Sequence, residues 1–220
     1  EMQSWIAQHD QSKLPNVGNN IWKAGDIMYA NLDDNPAIEK GTSATDPKDL
    51  TIIGNYTPRF RFGFSLGADY KGFDINLMFQ GVAKRDVWVG GDDRTAYSKG
   101  MIFWGINGGQ WDSTGYEEHM DYFRPEGDEM GANLNAYYPR PIIGSKQIQQ
   151  VQSRYLQNAA YIRLKNIQKA NLEKVRLFFS GDNLWTGTKM SKNFDPELIY
   201  QNGMSYPLSY TLSCGINITL

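Results

Sequence analysis

Residues Phe60–Gln80 read F-R-F-G-F-S-L-G-A-D-Y-K-G-F-D-I-N-L-M-F-Q. Apolar residues take every second position at Phe60, Phe62, Phe64, Leu66, Ala68 and Tyr70, with Arg61, Gly63, Ser65, Gly67 and Asp69 between them. After Lys71-Gly72 the alternation resumes: Phe73, Ile75, Leu77 and Phe79 against Asp74, Asn76, Met78 and Gln80. A strand sends successive side chains to opposite faces, so each half is a strand with one apolar face. The very short join makes the pair a β-hairpin.

The same period recurs along the chain. It marks Y-I-R-L-K-N-I (Tyr161–Ile167), V-R-L-F-F-S-G (Val175–Gly181) and Y-T-L-S-C-G-I-N-I-T-L (Tyr210–Leu220). Helical periodicity is nearly absent; Ser4 to Gln8 is at most one turn. The predicted strands are Arg59–Asp69, Phe73–Val82, Ala160–Ile167, Lys174–Asn183 and Tyr210–Leu220, most of them of the roughly 9–11 residues that cross a bilayer when tilted. The joins after Asp69 and near Lys169–Glu173 are short, whereas residues 24–57, 84–160 and 185–207 are long connections. Counting strands back from the C-terminus puts both short turns at one end and all three long connections at the other. Outer-membrane barrels have this asymmetry, with short periplasmic turns and long extracellular loops.

Bulk composition narrows the function. The 220 residues carry 22 basic and 24 acidic side chains, a net charge of −2, which gives no electrostatic basis for nucleic acid binding. The mean hydropathy of −0.54 is that of a water-facing protein. No stretch approaches the roughly 20 apolar residues of a spanning helix. Barrel strands escape that test, because only alternate residues meet lipid. The lone cysteine, Cys214, permits no intrachain disulfide. The chain opens at Glu1 without methionine, which is expected to be a processed or fragment boundary.

Alternation alone also fits a soluble sandwich, so the chemistry of the two faces matters. The polar positions are mostly Gly, Ser, Thr and Asn, which suit a crowded, wet barrel interior. Aromatics sit towards the strand ends: Tyr70 and Phe73 beside the turn, Trp185 and Tyr210 towards the far end. That is where amphipathic rings form interfacial girdles. The expected fold is therefore all-β: the C-terminal segment, about five strands, of an antiparallel transmembrane β-barrel with long extracellular loops. Residues 1–57 would be an N-terminal extracellular loop region and 58–220 the strands and loops of the barrel. The alternative is a secreted or surface-attached β-sandwich that binds glycans.

Longer motifs narrow the family. G-D-I-M-Y-A-N-L-D (Gly25–Asp33), D-P-K-D-L-T-I-I-G-N (Asp46–Asn55), P-R-F-R-F-G-F-S-L-G-A-D-Y-K-G-F-D (Pro58–Asp74) and F-Q-G-V-A-K-R-D-V-W (Phe79–Trp88) come in order. They are followed by Tyr161–Ile167, V-R-L-F-F-S-G-D-N-L-W (Val175–Trp185), F-D-P-E (Phe194–Glu197) and Y-P-L (Tyr206–Leu208). This order resembles the C-terminal part of the SusC/RagA-like TonB-dependent transporters of Bacteroidetes outer membranes. The resemblance implies a much longer parent protein with a plug domain inside a 22-stranded barrel. It implies import of oligosaccharide or peptide nutrients, driven by the TonB complex through an N-terminal part this chain does not contain. The implied partners are the remainder of the barrel and plug, a SusD-like surface lipoprotein acting as a lid, and outer-membrane lipid. Two departures stand out. Lys169-Ala170-Asn171-Leu172-Glu173-Lys174 lacks the family's glycine- and proline-bearing turn, so the turn is shortened or residues are missing from it. Asp33-Asp34-Asn35-Pro36-Ala37-Ile38-Glu39 stands where the family often has a calcium-like loop, but it lacks the glycine and contains Pro36.

No catalytic chemistry is expected. His9 and His119 stand alone, no nucleophile or phosphate-binding motif occurs, and neither a metal nor another cofactor is implied. Glu117, Glu118, Asp121, Glu126, Asp128 and Glu129 would make a surface hydrolase only if two of them were held at the right separation, and they read as a solvated acidic loop. Cys214 reads as a small residue of the apolar face. The long connection is rich in aromatics, which stack on sugars or pack the loop on itself. From that set Trp88, Trp104 and Trp111 are the expected contacts to substrate or partner.

Overall fold

The computed structural model describes residue 8 and residues 22–35, 37–88, 117–141, 151–171, 175–199, 206 and 208–218. The chain divides into two compact units. One comprises Glu1–Ile53 with Gly90–Tyr155, the other Gly54–Val89 with Leu156–Leu220.

The second unit contains a five-stranded antiparallel sheet whose strands, in order across it, are β3 (Arg61–Tyr70), β4 (Phe73–Val82), β7 (Tyr161–Asn171), β8 (Val175–Thr188) and β9 (Thr211–Ile218). A short pair, β5 (Asp86–Val87) with β6 (Gln157–Asn158), lies in the same unit, and β1 (Lys40–Ser43) with β2 (Asp46–Lys48) in the other. All five expected strands are present. Strands β7 and β8 run further than the alternation alone indicated, to Asn171 and Thr188.

The β3–β4 hairpin closes in two residues, both with left-handed backbone: Lys71 at φ 48° and Gly72 at φ 82°. Two successive positive φ values match the right-handed twist of the flanking strands. Glycine meets the second requirement without a Cβ penalty, whereas Lys71 sits in a region costing an L-residue about 1–2 kcal/mol.

Register carries the two-faced pattern across all five strands. Leu66, Leu77, Ile167, Gly181 and Leu212 form one transverse row, and Ser65, Met78, Asn166, Asp182 and Thr211 the adjacent row on the opposite face. The pattern survives an irregularity at Lys165, opposite Asn183 and Leu184, where β7 and β8 shift register and Asn183 takes φ 56°. A bulge moves the pairing by whole residues and restores the faces beyond it. Beyond it β8 continues through Trp185, which pairs with Leu164 on the apolar face.

The ends of the sheet are sorted. Tyr70, Phe73, Asn171, Leu177 and Ile216 form the row beside the tight turn. Arg61, Val82, Tyr161 and Thr188 form the row at the other end, from which the long connections leave.

Little of this sheet has a core. Every residue of β3 is exposed, and Phe60, Phe64, Leu66, Phe179, Leu212 and Ile216 of the apolar face are exposed too. Burying such a side chain is worth about 1.5–3 kcal/mol, so a continuous row of them open to water is a face made for contact with something apolar. Phe64 stacks on Phe79 at 4.9 Å and Phe62 on Phe64 at 6.5 Å, so aromatic rings adjoin along this face. No described helix is long and apolar enough to cross a membrane.

Candidate functional site

Two arrangements stand out, one in each unit. In the sheet unit it lies on the polar face, at the end where the long connections leave. Arg163 is in register with Gln80 and Thr186, and its Nε donates to Thr186 Oγ1 at 2.7 Å. Its remaining nitrogens reach the β8–β9 connection. Nη2 donates to both oxygens of Asp195 at 2.8 Å, and Nη1 to Glu197 Oε2 at 2.8 Å. Lys165, two residues along β7, donates from Nζ to both Glu197 oxygens at 2.9 and 2.8 Å. Between the two acids, the carbonyl of Pro196 accepts from Arg85 Nη1 at 3.4 Å. Arg85 is itself fixed by its Nε donating to the Tyr56 carbonyl and by the Tyr56 ring 4.7 Å from its guanidinium.

The tripeptide Asp195-Pro196-Glu197 is thus gripped by three cations. The side chains of Arg163 and Asp195 are 3% and 7% exposed, so this pair is dry. A single guanidinium nitrogen serves both Asp195 oxygens while Nη1 and Nε are taken by Glu197 and Thr186, so each nitrogen of the buried cation has an acceptor, the condition that makes a buried pair tolerable. Asp195 also organises the loop backbone: its Oδ1 accepts from the Glu197 amide and its Oδ2 from the Leu208 amide. Val82 and Tyr161 of the polar-face end row are buried, as are Met190, Phe194 and Ile199 of the connection.

In the other unit a cavity of about 950 Å³ is lined by Met28, Tyr29, Leu50, Phe123, Tyr137, Tyr138 and Tyr155, with Glu39, Asp49, Gln152 and Arg154 among its polar groups. The tyrosine rings brace one another: Tyr137 lies edge-on to Tyr138 at 5.0 Å and to Tyr155 at 5.3 Å, and Tyr138 stacks on Tyr155 at 5.8 Å. Tyr155 donates to the Tyr137 carbonyl at 2.8 Å, and Gln152 donates to the Tyr29 hydroxyl at 3.1 Å. Burial pushes the Tyr29, Tyr138 and Tyr155 hydroxyls above the usual phenol range. One wall is anchored by Asp26, whose carboxylate accepts from Arg140 at 2.8–3.1 Å and from the Lys23 amide.

The acidic turn after the G-D-I motif spends its oxygens internally. Asp49 accepts from the Leu32 and Glu39 amides at 2.7 and 2.8 Å, and Asp33 accepts from the Asn35 amide. Burial would raise the Asp49 carboxyl, but these amides, that of Asp33 and the charge of Lys48 outweigh it and hold it below the usual carboxylate range. Among the described residues no three metal-capable side chains come together. Of the carboxylates in the long connection, Asp121 accepts from Asn133 and the Tyr137 amide, and Asp128 from the Met130 amide. They serve as turn organisers.

Tyr70 and Phe73 pair at the turn end, Trp185 sits on the apolar face of β8, and Tyr210 precedes β9; all four are exposed. Trp88 is half-buried just after β5, with its indole nitrogen buried and lacking a hydrogen-bond partner. Trp104 and Trp111 lie outside the described residues. Sequence reasoning passed over the three-cation grip and the tyrosine cavity. The grip had a signal: two cations at i and i+2 on one strand, and two acids at i and i+2 in a later loop.

No family model matches the chain. TonB-dependent receptor P3 of Formosa agariphila is 32% identical over 218 residues, covering 88% of this chain and 19% of that protein. Among solved structures, the RagAB peptide importer in its open-open state matches with a TM-score of 0.54 at 25% identity, over 81% of this chain and 19% of that one. Its closed-closed state matches with a TM-score of 0.54 at 23% identity, over 86% and 22%, a likeness of fold. The chain spans about a fifth of the length of the proteins it matches.

Proposed function

We propose, because the chain belongs to the SusC/RagA-like TonB-dependent receptors, that it supplies five adjoining wall strands and their loops to an outer-membrane importer of glycan or peptide nutrients. The protein does no chemistry; it lines a path. The apolar face meets acyl chains, the polar face borders the watery lumen, the tight turn faces the periplasm, and the long connections, residues 1–57 included, face outward. Tyr70 and Phe73 form the periplasmic girdle and Trp185 and Tyr210 the outer one. Leu177 and Trp185 are eight residues apart along β8, about 26 Å at ~3.3 Å per residue, which at the ~40° tilt of such strands is about 20 Å along the membrane normal and fits within the apolar band of ~25 Å. Cargo, or a SusD-like lipoprotein acting as a lid, would meet Trp88, Trp104 and Trp111, and the tyrosine cavity has the size and ring faces for a sugar or an apolar side chain. Energy would come from the TonB complex through the parent protein's plug.

One observation carries this reading: a continuous apolar face with no second sheet or helix over it among the described residues. A soluble sandwich would have covered it. The native thiol supplies the test. Cys214 pairs with Phe179 on that face, and it is exposed here. In outer membranes bearing the full-length transporter, a charged maleimide should leave Cys214 unlabelled until detergent and heat unfold the barrel. In a Cys214→Ala background, Ser213→Cys should label in the folded state. Rapid labelling of Cys214 in intact membranes would show that the face is wet and end the proposal.

A further inference from the structure

We propose that residues 189–199 of the β8–β9 connection are a constriction segment, folded inward over the lumen face and fixed there by Arg163, Lys165 and Arg85, and that it limits the size of what passes. The inference rests on the reading of the polar face as the lumen.

The path of the chain makes the case. Strands β8 and β9 are neighbours, so a short join would suffice. Instead the connection leaves β8 on the side away from β9. It crosses β7, where Arg163 and Lys165 hold Asp195 and Glu197, and reaches Arg85, which follows β4. That is two strands from β8, about 10 Å of sheet width at ~4.8 Å per strand. The Leu208 amide on Asp195 ties the return limb to the same anchor.

The segment also chooses a face. Arg163 reaches it from the polar side, where it bonds Thr186. At this end the polar-face residues Val82 and Tyr161 are buried, while Phe60 and Trp185 of the apolar side remain 63% and 52% exposed. A loop that merely shielded the sheet's oily side would lie on the other face. A loop held over a lumen by ionic bonds takes cross-section from it. Its own apolar residues Met190, Phe194 and Ile199 are buried, so it stays in place as a packed body.

The test uses the full-length transporter in an outer membrane, with Arg163→Met and the milder Glu197→Gln. Hydrogen exchange across residues 189–199 should rise at least tenfold in the first variant and severalfold in the second. Killing of energised cells by vancomycin, a solute too large for ordinary porins, should rise severalfold in the same order. Faster exchange with unchanged killing would overturn the constriction, leaving a purely structural clamp. Unchanged exchange would overturn the grip. Should Arg163→Met fail to reach the outer membrane, Glu197→Gln decides by the same two readouts. A wild-type protein missing from the outer-membrane fraction would instead overturn the wall reading, and this proposal with it.

Discussion

The two ends of the sheet are built on different principles. At the turn end, two residues close the hairpin, and Tyr70 and Phe73 stand 70% and 48% exposed. At the loop end, a segment more than 25 residues further along the chain is clamped to β7 by a dry arginine–carboxylate pair. The first is local: alternation and a turn of positive φ define it without distant partners. The second is non-local: its ionic contacts close long loops, and the entropy of closure must be met by strong, directed bonds. A wall tolerates sequence drift so long as the period holds. A rim depends on individual residues.

Substitutions can break that contrast. The largest effect is expected from Arg163→Met, which leaves Asp195 without its main counter-charge in a dry site. Removing one partner of such a pair costs about 3–5 kcal/mol, so the rim should unfold locally. Protease sensitivity within residues 189–199, with the barrel still resistant, would register it; a uniform loss of barrel stability would erase the distinction between the two ends.

Next in size is the contrast between the faces. Leu212→Arg places a charge among the apolar rows and should cost about 2–4 kcal/mol in a bilayer. Ser213→Arg, one residue on and facing the other way, should cost far less. Urea unfolding of the full-length protein in lipid vesicles separates the two, and equal costs would sink the assignment of faces.

Smaller again is Gly81→Ala. A Cβ there would run into the Phe62 ring and the backbone oxygen of Tyr161. The ring can swing, but the carbonyl belongs to the β4–β7 ladder, so about 1–3 kcal/mol of overpacking is expected, read as a lower urea midpoint. The smallest effect is Gly72→Ala at the hairpin turn. Its φ of 82° suits glycine, and alanine should cost about 1–2 kcal/mol. If this substitution were worse than Gly81→Ala, the turn end would be less tolerant than its local construction implies.

Much of the wall is legible in the amino-acid sequence. Phe60–Tyr70 and Phe73–Gln80 alternate so regularly that strand, face and hairpin follow from the period alone. The run of β8 past Asn183 to Thr188, which takes in Trp185, was not legible, because the bulge at Lys165 breaks the alternation at Asn183 and Leu184. The grip was half legible: F-D-P-E stood out as a motif, but nothing local ties Asp195 to Arg163, 32 residues earlier. The tyrosine cavity was hidden for the same reason, since Tyr29 and Tyr155 meet only through the folding of a long connection.

Period-2 patterning and turn chemistry act over a few residues, so the strands, their two faces and the sorting of short turns from long connections can be read from the chain alone. That the β8–β9 connection lies over the polar face, with Arg163, Lys165 and Arg85 converging on one tripeptide, is visible only in the folded molecule. Those outcomes depend on which distant charges find each other once the sheet has brought β4, β7 and β8 side by side.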